Sequence, residues 1–234
     1  MKFNEELANK FIDALLPIIP KKFGAISNHK LFSGNYPDII ETITAIDPHA
    51  TIHTGATRMV IVSPNLKGAV IKIPFNGYYD ETGMFWEFYG TCEARDYCEV
   101  ELLKYQKVAT ETSFGSRFLA ETERFRPDVT DKLGVVLVQE EAVSEEDRIC
   151  SYRTSEKAQK QAPQINQDYY FFCLEDEWVA LCIDKYGSIN VEKFLRYCNT
   201  QDEREILDDC HEGNYGYRVK DGTPCIFDFA SYME

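Results

Sequence analysis

The chain has 234 residues, 44% apolar and 13% aromatic, enough for one large domain or a two-lobed one with a substantial core. Its formal net charge of −14 argues against bulk binding to nucleic acid or an anionic membrane, because a polyanion gains nothing from another. The eight cysteines are scattered without a CxxC pair or zinc-ligand spacing, and read as thiols of a reducing cytoplasm rather than a disulfide framework.

In chain order, the apolar positions Leu7, Phe11, Ile12, Leu15 and Leu16 make a helical stripe that Pro17 and Pro20 end. Asp13 and Pro17 break the apolar run, so neither a signal peptide nor a spanning helix is expected there. Pro37 suits the first turn of a second short helix. Residues 51–54, 58–62 and 69–75 are rich in β-formers and read as a three-strand meander. A polar and aromatic loop over 76–90 and a helix over 92–108 follow. Residues 118–125 and 134–139 read as strands, the second apolar enough to be buried. The polar stretch 144–168 reads as a linker with one helix at 155–161. Residues 191–197 form a helix capped by Ser188 or Asn190. Strands at 215–219 and 225–229, joined across Asp221 and Gly222, close the chain as a hairpin.

The residues that carry chemistry are concentrated in two places. Asp209 and Asn214 stand five apart in the pattern Asp-x-His-x-Gly-Asn, completed by His211 and Gly213. The hairpin after Asn214 is expected to return Asp228 beside it. A carboxylate such as Asp209 can orient or deprotonate a hydroxyl, and Asn214 and Asp228 offer the oxygen donors that magnesium prefers. Lys72 sits in the apolar strand Ala69, Val70, Ile71, Lys72, Ile73, so alternation puts it on one face with Val70. Burying a lysine alone is costly, so it must meet water, a carboxylate or a ligand. Glu99 precedes Leu102 and Leu103 by three and four residues and is expected to border the docked face of its helix, with Glu101 pointing elsewhere. Gly55, between two strands, would let backbone N–H groups approach phosphates.

The order of glycine turn, strand lysine, helix glutamate, buried strand, Asp-x5-Asn and Ile226, Phe227, Asp228, Phe229 resembles the protein-kinase-like fold over about residues 50–230. The closing motif is most similar to aminoglycoside and choline kinases and to the short kinases of bacterial viruses. The resemblance implies an α+β, two-lobed fold: a helical extension over 1–49, an antiparallel N-lobe sheet with one docked helix over 50–142, and a hinge, linker and truncated C-lobe over 143–234. It implies ATP and Mg2+ as cofactors. Lys72, paired with Glu99, would hold the α- and β-phosphates beneath Gly55, and Val60 and Val70 would touch the adenine. Gln139, Glu140, Glu141 and Ala142 would form the hinge that reads the adenine edge through backbone groups. Asp209 would be the base, and Asn214 and Asp228 the magnesium ligands.

The pattern also departs from the family. His53 and Arg58 stand where two further loop glycines belong, and Ala230 follows Asp228 and Phe229 where a glycine is usual. Leu207 and Asp208 precede the base, so that only the spacing to Asn214 selects Asp209 over Asp208. The sequence ends at Glu234, six residues after Asp228, without the later C-lobe helices that carry peptide substrates in larger kinases. The expected function is therefore a minimal cytoplasmic phosphotransferase acting on protein Ser/Thr or Tyr hydroxyls. The alternatives are a pseudokinase that docks a protein partner, and nucleotidyl transfer to a hydroxyl.

Overall fold

The structure is a computed structural model that describes residues 1–19, 37–54, 58–74, 98–144, 153–169, 172, 174–199, 207 and 211–229, together with the backbone of 78–79, 85–86 and 93–97. It is an α+β protein of two compact units, one of residues 1–102 and 122–140, the other of 103–121 and 141–234. The chain thus passes from one unit to the other after Leu102, Glu121 and Glu140.

In the first unit, helix α1 (Glu5–Leu15) starts where the Asn4 side chain accepts a hydrogen bond from the Leu7 N–H at 3.2 Å. Such a cap satisfies one of the N–H groups that the first turn leaves without a partner. Ala8, Phe11, Ile12 and Leu15 fall on one face and are buried. Helix α2 (Pro37–Ile46) begins at its proline and buries Ile39 and Ile43, one turn apart. Strands β1 (Thr51–Thr54), β2 (Arg58–Val62) and β3 (Ala69–Pro74) form the expected meander. With β6 (Thr122–Phe125) and β7 (Val136–Glu140) they make a five-stranded antiparallel sheet in the order β1-β2-β3-β7-β6.

The register settles which residues share a face. Met59 pairs Ile73, Ile61 pairs Ile71, and Ile71 pairs Val138. These side chains form one core with Phe11, Ile12, Leu15, Ile39 and Ile43, so α1 and α2 cover this face of the sheet. Arg58, Val60, Val70, Lys72, Leu137 and Gln139 take the opposite face. Within the segment expected to be a loop, β4 (Tyr78–Tyr79) pairs antiparallel with β5 (Phe85–Trp86).

A buried carboxylate ties the end of α2 to the β2–β3 connection. Asp47 accepts from the Ser63 hydroxyl, from the His49 N–H at 3.0 Å and from Asn65 Nδ2 at 3.0 and 3.1 Å. The Ser63 hydrogen bond is the largest influence on its carboxyl, and with the others it holds the carboxyl below its ordinary value despite the opposing effect of burial. A carboxyl depressed on folding adds stability above its unfolded value, near 4, and that stability is lost as pH falls through the folded value. Asp47→Asn is accordingly expected to cost about 1.5–3 kcal/mol at neutral pH and to flatten the acid limb of stability. Urea unfolding at intervals between neutral pH and about pH 2.5 checks this.

Helix α3 (Glu93–Glu111) runs from the first unit into the second. The segment 118–121, expected to open a strand, instead belongs to the second unit: Phe118 stacks on Phe194 with ring centroids 4.3 Å apart. The strand begins only at Thr122, after the chain has crossed.

The polar stretch expected to be a linker is built into the core of the second unit. After the short α4 (Thr130–Leu133) of the first unit, α5 (Glu156–Asp168) is capped by Ser155, whose hydroxyl oxygen accepts from the Ala158 N–H at 3.1 Å. Its buried side chains are Ala158, Ala162 and Ile165, a narrow seam on an otherwise polar helix, with Pro163 in its interior. They pack with α6 (Asp176–Tyr186) and α7 (Ser188–Cys198). The expected cap of α7 is also corrected: Gly187 occupies the N-cap position, and the Asn190 amide instead donates to the Tyr186 carbonyl at 2.7 Å. Strands β8 (Ala142–Ser144), β9 (Tyr215–Arg218) and β10 (Pro224–Ile226) form a second antiparallel sheet in the order β10-β9-β8. Trp178 Nε1 donates to the Gly216 carbonyl at 2.8 Å and joins the helices to this sheet.

Candidate functional site

The polar cluster of the first unit is assembled on the sheet face that α1 and α2 leave. Lys72 is only 4% exposed, and its Nζ donates to Glu101 Oε1 at 2.8 Å. Arg58 Nη1 donates to the other oxygen, Oε2. Gln139 Nε2 donates to Glu101 Oε1 at 2.8 Å and to Thr122 Oγ1 at 2.8 Å. Glu101 itself is wholly buried. One carboxylate from α3 is therefore held by side chains from β2, β3 and β7, all within one unit.

This corrects the partner of Lys72: it is Glu101, and Glu99 is exposed. The reason is the helix phase. Glu99 borders the docked face only if Leu102 and Leu103 both lie on it, yet Leu103 is 56% exposed. Within the first unit the inward side chains of the helix are Cys98, Glu101 and Leu102, the last two lying three and four residues after the first. Cys98 and Leu102 pack with Val135, just before β7, and with Leu137 of β7, which aims Glu101 at the lysine. The signal was present in the small apolar Cys98, which shares with Leu102 a phase that leaves Leu103 out.

Val60 and Val70 lie on the same face as Lys72, with Val60 directly opposite Lys72 across the β2–β3 pair. Gln139 takes a different place from the one expected. It pairs Val70 on one side and Thr122 on the other, so its backbone belongs to the sheet ladder rather than to a connector. Glu140 pairs Ala69 and Ala142 pairs Arg218, leaving Glu141 as the connecting residue. The Glu141 carbonyl accepts from the Val219 N–H at 3.1 Å, and burial pushes its carboxyl above the ordinary value.

In the second unit the hairpin returns Asp228 to Asn214. The Asn214 carbonyl accepts from the N–H groups of Phe227 at 3.0 Å and Asp228 at 3.3 Å. His211 and Gly213 form the preceding turn, with the Gly213 N–H donating to His211 Nδ1 at 3.0 Å. Asn214 is buried and Asp228 half-buried. Asp209 and Asp208, and Gly55 of the expected phosphate loop, lie outside the described residues. Among the described residues no helix is long and apolar enough to cross a membrane.

Comparison with known proteins finds no matching family model, no matching curated protein and no matching solved structure.

Proposed function

We propose that the protein is an ATP- and magnesium-dependent phosphotransferase of the protein-kinase-like type, working in the cytoplasm on Ser, Thr or Tyr hydroxyls of a protein substrate. The observation that carries this reading is the buried Lys72–Glu101 pair on a sheet face that also presents Val60 and Val70. A desolvated cation beside apolar side chains suits a ligand with a polyphosphate at one end and a flat base at the other. The sequence pattern around Asp209 supplies what such a ligand needs for transfer. The donor chemistry of Asn214 and Asp228 fits Mg2+, a hard cation that takes oxygen ligands, and their backbones are hydrogen-bonded neighbours. The bound ion would neutralise charge on the phosphate chain.

In this reading Lys72 holds the phosphates and Glu101 holds Lys72. Asp209 accepts the proton of the attacking hydroxyl, a new bond forms between that oxygen and the γ-phosphorus, and the bond from the γ-phosphorus to the β–γ bridging oxygen breaks to release ADP. Lys72→Met is expected to reduce, without abolishing, stabilisation by Mg-ATP, which for the native chain reaches about 2.7 kcal/mol at a hundredfold excess over Kd. Asp209→Asn should retain that stabilisation yet lose about 100- to 10,000-fold in transfer of γ-phosphate label to protein. Absence of any Mg-ATP stabilisation in the native chain overturns the reading.

A second reading, an ATP-binding module that acts by docking a partner, is favoured by one observation. Arg58, where the resemblance expects a loop glycine, is locked into the Glu101 cluster. It predicts Mg-ATP stabilisation without label transfer.

A further inference from the structure

We infer that Arg58 is a positioning residue for the nucleotide: it compensates Glu101 so that Lys72 can be drawn onto a phosphate chain. This rests on the proposed reading of the Lys72 face. Arg58 and Lys72 come from adjacent strands and project from the same sheet face, since Arg58 pairs Pro74 and Val60 pairs Lys72. They divide the Glu101 carboxylate between them, Lys72 on Oε1 and Arg58 on Oε2. All three side chains are at least nine-tenths buried.

The consequence is electrostatic. In a pair of one lysine and one glutamate, moving the ammonium toward a phosphate leaves a buried carboxylate behind, and an uncompensated buried charge is strongly unfavourable. That cost would be subtracted from the ligand's affinity. Here Arg58 and Gln139 remain on Glu101 when Lys72 is shared. The guanidinium is suited to the task because its planar fork holds a carboxylate oxygen in a fixed direction. The chain thus carries, at the position of a missing loop glycine, a cation that acts on the ligand through Glu101 rather than through the loop backbone.

The test uses the full chain and Mg-ATP, with affinity measured by calorimetry and folding checked by circular dichroism. Arg58→Gln keeps an N–H donor for Glu101 but removes the charge. It is expected to weaken Mg-ATP binding about tenfold, as a buried carboxylate left partly unpaired requires. Arg58→Lys, which restores the charge, should return affinity to within about threefold of the native chain. In a Lys72→Met background, Arg58→Gln should add no further loss, because no ammonium remains to be released. A purely structural Arg58 would lower thermal stability without this dependence on Lys72. A folded Arg58→Gln protein that binds as the native chain does, or that loses the same factor with and without Lys72, overturns the inference alone. A native chain that does not bind Mg-ATP removes the proposed function and this inference together.

Discussion

Glu101→Gln should cost the protein about 3–5 kcal/mol of stability, more than either Lys72→Met or Arg58→Gln. Glu101 is the one carboxylate among the described residues that both Lys72 and Arg58 reach, and it also receives Gln139. Neutralising it leaves two buried cations without their shared anion, and presents the Gln139 amide with a mixed donor and acceptor in place of two acceptors. Lys72→Met, by contrast, leaves Glu101 with a cation and an amide donor. The ranking therefore separates a hub from a simple pair, in which removing either member would cost about the same. Urea unfolding of the three variants measures it. Mg-ATP should also restore more stability to folded Glu101→Gln than to Lys72→Met, because only the former keeps the Lys72 ammonium that meets the polyphosphate. Equal stability of all three variants would remove Glu101 from the centre of the site.

The second large effect is expected at Arg218 in β9. Its guanidinium is buried, with Nη2 donating to the carbonyls of Arg117 at 3.0 Å and Leu119 at 2.8 Å. Nη1 donates to the Pro224 carbonyl at 2.9 Å and to Tyr186 Oη at 3.1 Å. One side chain thus closes the segment before β6, the end of α6 and the start of β10 onto one another. Arg218→Met keeps much of the volume but removes the donors, and is expected to cost about 3 kcal/mol or more, since each hydrogen bond to a charged donor contributes about 1.5–3 kcal/mol. Arg218→Lys should recover only part, because an ammonium cannot fork to carbonyls in two directions. The chain has two tryptophans, so fluorescence in a Trp86→Phe background reports on Trp178 in the core of this unit.

The same cluster gives the alkaline limb a sign. Burial pushes the Tyr186 phenol up to about 12, partly opposed by Arg218 beside it. A folded-state value above the unfolded one, near 10, means that stability is fully present below about pH 10 and is lost as pH rises through the folded value. Tyr186→Phe should therefore lessen the loss of stability between about pH 10 and 12.

Much of the fold was legible because local pattern and tertiary environment agree. The stripe of α1 and the apolar strands β3 and β7 each show in the sequence and each is buried, and β1 to β3 pair as the expected meander. The return of Asp228 to Asn214 follows from a short hairpin. Where the reading missed, local signals were weak or pointed two ways. Helix α5 looks like a linker because its buried seam is two alanines and an isoleucine with a proline between. Phe118 looks like a strand residue, but stacking on Phe194 draws it into the other unit. Asn190 is a good capping residue in isolation, yet Gly187 is already placed to turn the chain.

The sequence alone determined that a lysine would stand on one strand face with Val70, because alternation along a strand admits no other arrangement. It also determined the two oxygen donors that flank the last hairpin. The tertiary structure decided which acid answers the lysine. Two glutamates two residues apart differ by about 200° around a helix, and only the packing of Cys98 and Leu102 against Val135 and Leu137 selects the one that faces the sheet. Arg58 became part of the site for the same reason: cross-strand register, not sequence proximity, places its guanidinium beside the carboxylate of a residue 43 positions away.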